Sequence, residues 1–256
     1  MTSWFDESPE TYDRARPSYP EPLWDEVFRR LPGNPSLVEI GPGTGKATAA
    51  LLARGARVIA CEPGPNLTAF LIAKFPGPNL EVRNSGFEEA NFGGEQFDGV
   101  VAATSFHWVE RRARTEKVPS ILNAGGLVAI ISTNQVDDAV DRGYFAASQQ
   151  VYRTYFPDEP EEMPATPGRD VTPPEFEELS ANPLFEDAEL FRYDWDQRYE
   201  TAAYLDLVRS YSNTAQMQPA ARASFLADLG GFIDGEFGGY VTRPLVITLS
   251  CSRRRP

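Results

Sequence analysis

Residues 37–45 have the sequence LVEIGPGTG, an apolar run followed at once by a glycine-rich turn. A second apolar run, Val58 to Cys61, ends at Glu62, 21 positions after Gly41. A strand, a glycine turn, a helix and a second strand with an acid at its tip, about 20 residues after the turn, are typical of a nucleoside site. The glycines allow the backbone to approach the ligand, and the acid binds the ribose hydroxyls. We therefore predict that the turn and Glu62 bind a nucleoside cofactor.

The spacing of the glycines indicates which nucleoside. A dinucleotide site requires G-x-G-x-x-G, but Lys46 stands at the position of the third glycine. A P-loop requires a glycine where Ile40 stands and a hydroxyl residue where Ala47 stands. Glu39, just before the turn, would repel a phosphate and attract a cation. The turn therefore favours S-adenosylmethionine (SAM), which carries a sulfonium and an ammonium and no phosphate.

Several segments resemble the motifs of class I SAM-dependent methyltransferases. They are VEIGPGTGKAT (38–48), CEP (61–63), NSGFEE (84–89), FDGVVAATSFHWVE (97–110) and GGLVAII (125–131). FDESPETYDRARPSYP (5–20) and YLDLVRSYS (204–212) resemble the subgroup that includes trans-aconitate-type carboxyl methyltransferases. The resemblance extends over nearly the whole chain. It implies an α/β, Rossmann-like sheet of seven strands, with a parallel core, one antiparallel edge strand and a helical cap.

Apolar runs predict the same architecture. Five strands that are apolar on both faces alternate with helices, which is typical of a buried parallel sheet; they are predicted at 37–40, 57–61, 79–83, 97–103 and 126–132. Two late strands are predicted at 185–199 and 245–249. Helical spacing predicts helices at 23–31, 47–54, 67–75, 144–156, 204–211 and 225–233, and a proline-rich link at about 157–174.

The chain is predicted to form a single methyltransferase domain over residues 1–256. Within it, residues 1–36 would cover the cofactor and residues 37–132 would form the SAM-binding core. Residues of about 135–182 and 200–235 would form a substrate cap over the carboxyl ends of the strands, where ligands bind in open α/β sheets.

The resemblance also implies the residues that contact SAM. Glu39 is expected near the SAM ammonium, directly or through water, and Arg16 is expected to pair with the methionine carboxylate. The family commonly has an acid near position 85 for the adenine amino group, whereas this chain has Ser85. Phe87 would stack on the adenine or pack in the core. The full predicted set is Tyr12, Arg16, Tyr19, Glu39, Gly41, Gly43, Thr44, Gly45, Glu62, Pro63, Ser85, Gly86, Phe87, Ala103 and Ser105.

The methyl acceptor is expected near His107, the only histidine, which follows the fourth strand. An imidazole suits a general base for a phenol, hydroxyl or amine, and the alternative is that His107 shapes the loop or orients the substrate. A carboxylate acceptor needs no base. Trp108, Arg209 and Tyr211 are the other predicted acceptor contacts, with Arg209 able to bind a carboxylate or to remain an exposed helical arginine.

Composition limits the possible partners. The net charge of −13 opposes binding to a nucleic-acid backbone, and no apolar stretch approaches the roughly 18 residues of a membrane span. The acidic N-terminus lacks the apolar segment of a secretory signal, and Cys61 and Cys251 are expected to be free thiols in a reducing cytoplasm. No metal site is predicted.

The sequence therefore predicts a methyltransferase that moves a methyl group from SAM to a small molecule, with oxygen as the favoured acceptor atom and S-adenosylhomocysteine (SAH) as product. Two alternatives remain at this stage. One is an enzyme that binds SAM without transferring its methyl group, such as a cyclase. The other is a non-catalytic SAM-binding module.

Overall fold

The computed structural model describes residue 13 and residues 18–157 and 166–256. Its seven strands form one sheet in the order β3-β2-β1-β4-β5-β7-β6. They are β1 (Ser36–Ile40), β2 (Arg57–Cys61), β3 (Leu80–Arg83), β4 (Phe97–Ala103), β5 (Leu122–Gln135), β6 (Phe185–Glu200) and β7 (Tyr240–Arg254). β1 to β5 are mutually parallel, and β7 is antiparallel to both β5 and β6. The predicted seven-stranded α/β fold is confirmed, and the antiparallel strand lies one position in from the edge.

Helices flank this sheet. They are α1 (Glu21–Phe28), α2 (Lys46–Ala53), α3 (Pro65–Lys74), α4 (Val118–Ile121), α5 (Tyr144–Tyr155), α6 (Pro174–Ala181), α7 (Thr201–Arg209), α8 (Ser212–Ala215) and α9 (Pro219–Phe237). Short 3-10 turns lie at Phe106–Trp108 and Ala139–Asp141, and a π-helical turn lies at Ala113–Lys117. α3 begins with Pro65, whose fixed φ suits the first helical position. α9 ends at Gly238, whose φ of +69° suits a helix terminus.

The central strands are apolar on both faces because the sheet separates two cores. On β1, Leu37 packs into one core and Val38 into the other, as alternation along a strand requires. The core on the Leu37 side includes Trp24 of α1 and the partly buried Phe191, Tyr193 and Trp195 of β6. The period-two pattern of these three aromatic residues is thereby confirmed.

A third cluster packs helices against the ends of β6 and β7 that carry Tyr199 and Val241. It joins α5, α7 and α9 around the fully buried Tyr144 and Phe225. Tyr144 makes edge-to-face ring contacts with Tyr204 at 5.4 Å and with Phe237 at 5.2 Å between centroids. These helices form a layer of their own, which we call the helical layer.

Three boundaries differ from the prediction. β5 extends through Thr133 to Gln135, and β7 extends over Tyr240–Arg254, because the two strands pair in continuous antiparallel register as far as Gln135 and Leu245. The predicted link at 157–174 ends where α6 begins, at Pro174, a helix absent from the prediction. Cys61 and Cys251 are buried free thiols, as predicted. Within the described residues, no helix combines the length and apolar character needed to cross a membrane.

Candidate functional site

The glycine turn lies at the carboxyl end of β1. The Gly41 N–H donates to the carbonyl of Cys61 at 3.0 Å, and Gly41, Gly43 and Gly45 have φ values of +61°, +58° and +82°. These left-handed conformations favour glycine. A Cβ on Gly41 would lie 2.7 Å from Ser105 Cβ, and one on Gly45 would overlap Leu71 and Phe75 of α3. A Cβ on Gly43 would meet no atom within 4 Å. Gly41 and Gly45 are therefore required by internal packing, whereas Gly43 borders open space.

Glu62, at the tip of β2, reaches across to this turn. One carboxylate oxygen accepts the Gly43 N–H at 3.1 Å, and the other accepts the Gly64 N–H at 2.9 Å. The side chain is buried, with 5% of its surface exposed. Two backbone donors thus fix the carboxylate beside the glycine turn.

A second layer of contacts holds the backbone around Glu62. Asn84 donates from its side-chain amide to the carbonyls of Glu62 and Pro63, at 3.0 and 3.1 Å. It also donates to the hydroxyl of Thr68, which in turn donates to the Glu62 carbonyl. No specific role was predicted for Asn84; its position directly after a predicted strand was the one signal that pointed to it.

Glu39 is fully buried behind the turn. The Thr48 hydroxyl of α2 donates to Glu39 Oε2 at 2.7 Å, and Glu39 Oε1 has no hydrogen-bond partner among the described residues. Burial raises the pKa of Glu39 to about 7, against the opposing effect of the Thr48 hydrogen bonds. A buried carboxyl oxygen without a donor is what a cationic ligand group would satisfy. The carboxylates of Glu39 and Glu62, together with the open space at Gly43, therefore fit SAM.

A cavity of about 110 Å³ opens over the carboxyl ends of β1, β4 and β5. Its wall combines the glycine turn with residues from β4, β5, β7 and α7. The lining residues are Tyr19, Gly41, Pro42, Gly43, Thr44, Lys46, Ala47, Ala103, Thr104, Thr133, Leu207, Arg243 and Leu245.

Three hydroxyl groups of the cavity lining lie within hydrogen-bond distance of one another in sequence. Tyr19 Oη lies 3.1 Å from Thr104 Oγ1, which lies 3.3 Å from Thr133 Oγ1. Thr104 has a φ of +56°, a conformation that is costly for a β-branched residue. Such backbone strain concentrates at functional sites. Of these three residues, Tyr19 alone was among the predicted contacts.

Asp13 contacts the same edge of the site. Lys74 of α3 donates to the carbonyl of Thr44 at 2.9 Å and to Asp13 at 2.9 Å. Although burial alone would raise the pKa of Asp13, the hydrogen bond from Lys74 and the charge of Lys46 lower it. Tyr12 and Arg16, both predicted cofactor contacts, lie outside the described residues.

Of the remaining predicted cofactor residues, some lie at the cavity or the end of β1 and others lie beyond β3 or in the core. Ala103 lines the cavity, and Ser105 donates its hydroxyl to the carbonyl of Ile40 at the end of β1. Pro63 is exposed, and Ser85 and Gly86 are partly buried beyond β3. Phe87 is buried in the core, with its ring 6.1 Å from that of Phe92, which favours the core alternative over adenine stacking.

His107 and Trp108 lie on an exposed 3-10 turn after β4, and neither lines the cavity. Their rings are 5.0 Å apart between centroids. Nearby protein desolvates the imidazole and lowers the pKa of His107, with Arg114 acting in the same direction and Glu175 opposing it. His107 as a base or orienting residue stays a prediction.

The two predicted acceptor contacts in the late helix differ in placement. Arg209 is about half exposed, with side-chain exposure of 48%, and pairs with Asp206 on the surface of α7. The Tyr211 hydroxyl instead accepts a hydrogen bond of 2.7 Å from Arg243, which lines the cavity. Arg243 was not predicted, because it lies just before the apolar run of the last strand and belongs to no motif.

The glycine turn, the acid at the tip of β2 and the strand order found here are typical of the class I methyltransferase fold. Residues 38–130 match the family model of a methyltransferase domain. This part of the chain is therefore similar to a methyltransferase domain.

Known proteins with similar sequences are named as methyltransferases. An uncharacterized methyltransferase of Mycobacterium bovis is 30% identical over 120 residues, which is 47% of this chain and 48% of that protein. An uncharacterized methyltransferase of Exiguobacterium sibiricum is 28% identical over 66% of this chain and 88% of its own. The chain thus spans about half the length of the mycobacterial relatives that it matches.

Solved structures show the same fold. The YcgJ protein of Bacillus subtilis superposes with a TM-score of 0.58 at 14% identity, covering 93% of this chain and all of that one. Phosphoethanolamine N-methyltransferase 2 of Haemonchus contortus, solved with SAM, gives a TM-score of 0.56 at 13% identity, covering 100% of this chain and 61% of that one.

Proposed function

We propose that this protein transfers a methyl group from SAM to an oxygen atom of a small-molecule acceptor. The observation that carries the proposal is the pairing of Glu62, fixed beside the glycine turn by the N–H groups of Gly43 and Gly64, with the buried Glu39. Glu62 would bind the ribose hydroxyls and Glu39 the ammonium group. When bound, SAM supplies an activated methyl group, and the chain supplies orientation and exclusion of water.

The cavity supports an acceptor that is already ionised. Among its described lining residues there is no carboxylate and no imidazole; Arg243 carries positive charge, and the charge of Lys46 is paired with Asp13 at 3.6 Å. A carboxylate is ionised at neutral pH and needs no base, but an amine acceptor would have to lose a proton and would meet the cation of Arg243. A carboxylate oxygen is therefore the acceptor atom that this wall suits best.

The division of the chain follows from the same geometry. Leu207 of α7 lines the cavity, so the helical layer contributes directly to its wall. We assign SAM binding to residues 37–132, acceptor selection to residues of about 135–182 and 200–235, and a covering role to residues 1–36. The N-terminal assignment is supported by the contacts of Asp13 and Tyr19 near the turn.

Incubation with methyl-labelled SAM and a small-molecule extract tests the activity. We expect release of SAH together with a labelled small product whose label is lost on mild alkaline ester hydrolysis. SAM binding without SAH release would indicate an enzyme that uses SAM without methyl transfer, or a binding module. Absence of SAM and SAH binding by calorimetry would overturn the proposal.

A further inference from the structure

Lys117 ends the π-helical turn between β4 and β5, and its side chain reaches the loop that follows β3. Its Nζ donates to the main-chain carbonyls of Phe87, Glu88 and Ala90, at 2.6, 2.9 and 2.7 Å. An ammonium group has three N–H donors, and these three carbonyls use all of them. Lys117 therefore holds the main chain of residues 84–90, which we call the β3 loop.

The pocket around this ammonium is suited to lysine. The ring centroids of Phe87 and Phe92 lie 5.0 and 5.6 Å from Nζ, so aromatic rings border the charge beside the three carbonyls. A compact ammonium can direct three donors into such a pocket, whereas the guanidinium of arginine is a wider, planar group. Three of the chain's 24 lysine and arginine residues are lysines, so arginine is its usual cation and the pocket explains the lysine at position 117.

Two further contacts hold the β3 loop. The Asn84 amide joins its start to the backbone at the tip of β2, through the carbonyls of Glu62 and Pro63. Glu88 Oε1 accepts the Glu110 N–H at 2.8 Å, which joins the loop to the segment after β4. With the lysine contacts, three separate parts of the chain therefore attach to the loop. A loop that is fixed before binding costs less entropy to order around a ligand.

The strand order places the β3 loop relative to the cofactor. β3 lies next to β2, on the side away from β1. A SAM molecule with its ribose at Glu62 of β2 and its ammonium near Glu39 of β1 would direct its base away from β1, towards β3. The β3 loop, which begins where β3 ends, then flanks the adenine.

We infer that Lys117 is a positioning residue for recognition of the SAM base: by holding three carbonyls of the β3 loop, it fixes the loop in a shape that selects adenine over other purines. This inference rests on the proposed function. Lys117 itself touches neither the cofactor nor the acceptor in this assignment. Without the ammonium, three clustered carbonyls lose their donors and must turn towards water, which reshapes the loop. The contacts of the ribose and of the amino-acid end, at Glu62 and Glu39, lie on other strands and are kept.

Calorimetry with SAH and S-inosylhomocysteine tests the inference, because the two ligands differ only at one edge of the purine base. We expect the unmutated protein to bind SAH more tightly by about tenfold or more, the effect of one hydrogen bond to the base. In Lys117→Met, which keeps an apolar stem without the charge, SAH affinity should fall by about tenfold, and the preference for SAH should fall below about threefold. Arg112→Met, which removes an exposed cation just before the same turn, is the control and should leave both affinities unchanged.

Lys117→Arg keeps the positive charge and is the second variant in case Lys117→Met unfolds. Because a planar guanidinium cannot direct three donors at the three carbonyls, the preference for SAH should also fall, by about threefold or more. An unchanged preference in either folded variant would overturn the inference. An equal loss of affinity for both ligands would overturn it too, because it would indicate a structural role alone.

The outcomes separate this inference from the proposed function. If SAH does not bind the unmutated protein, the proposed function fails. If SAH binds but S-inosylhomocysteine binds the unmutated protein equally well, the β3 loop does not select the base and the inference alone is wrong.

Discussion

In the proposed function, Glu62 is the side chain that contributes most to cofactor binding. Its two carboxylate oxygens are aligned by backbone donors, so a bound ribose would meet a fixed acceptor pair rather than a mobile one. Glu62→Gln keeps the shape and removes the charge, and we expect SAH affinity to fall by about 10- to 100-fold in calorimetry. Glu81→Gln, an exposed carboxylate on β3, serves as the matched control. Equal affinity in both variants would contradict the assignment.

The raised pKa of Glu39 predicts that the free energy of unfolding depends on pH. A carboxyl whose pKa is about 7 in the folded state and 4.5 in the unfolded state destabilises the fold as it ionises. The free energy of unfolding should therefore fall by about 3 kcal/mol as pH rises from about 4.5 through about 7. Glu39→Gln should remove this decline, measured by urea unfolding across the pH range. Parallel pH profiles for the two proteins would show that the pKa of Glu39 is the same in the folded and unfolded states, and would contradict this prediction.

The same group predicts how binding varies with pH. Because the ionised form attracts the ligand ammonium, SAH affinity should rise with pH through about 7 in the unmutated protein. In Glu39→Gln the rise should be absent. A rise of equal size in both proteins would assign the effect to another group.

Among individual site residues, those that could be predicted from the sequence belong to a local motif. Gly41, Gly43 and Glu62 lie in a pattern whose spacing indicates a nucleoside site. Arg243, Thr104 and Asn84 were not predicted, because each acquires its role from residues far away in the chain, such as Gln135 for Arg243. Phe87 could not be assigned because an aromatic residue in a loop is equally compatible with a ligand and with the core.

The turn between β1 and α2 serves two purposes that can be separated. Gly45 packs against Leu71 and Phe75 of α3, whereas Gly43 borders the open site. Gly45→Ala should lower the melting temperature because the added methyl overlaps a packed helix. Gly43→Ala should retain more stability, at a cost of about 1–2 kcal/mol for its positive φ, and should lose SAH affinity. Thermal unfolding and calorimetry on both variants measure the two effects. A Gly43→Ala protein with full affinity and a Gly45→Ala protein with full stability would contradict this division.

Elements that are apolar on both faces were predictable, and their polar ends were not. β1, β2 and β4 match their predicted bounds within a residue, because burial on both faces produces continuous apolar runs. β5 and β7 continue through Thr133, Ser250 and other polar residues because the two strands pair with each other along their length, which no local pattern shows. α6 begins at the second of two consecutive prolines, Pro173 and Pro174, and these suited the predicted link equally well.

At the scale of the whole molecule, the two cores on the sheet and the helical layer contribute different parts of the site. The sheet cores fix the positions of the strand ends that carry Glu39 and Glu62, and the helical layer supplies Leu207 to the cavity. The parallel core and the two late strands of the sheet were predictable from the motifs. How the helical layer covers the site was not predictable, because it depends on contacts between distant segments of the chain. The acceptor therefore had to be inferred from the assembled cavity.

A crystal structure of the protein grown with SAH is the measurement that tests the account most directly. It should show both ribose hydroxyls about 3 Å from the Glu62 carboxylate, the ammonium directed towards Glu39, and the sulfur near the end of β4 beside Tyr19. SAH bound elsewhere on the molecule, or a Glu62 side chain that makes no contact with the sugar, would contradict it.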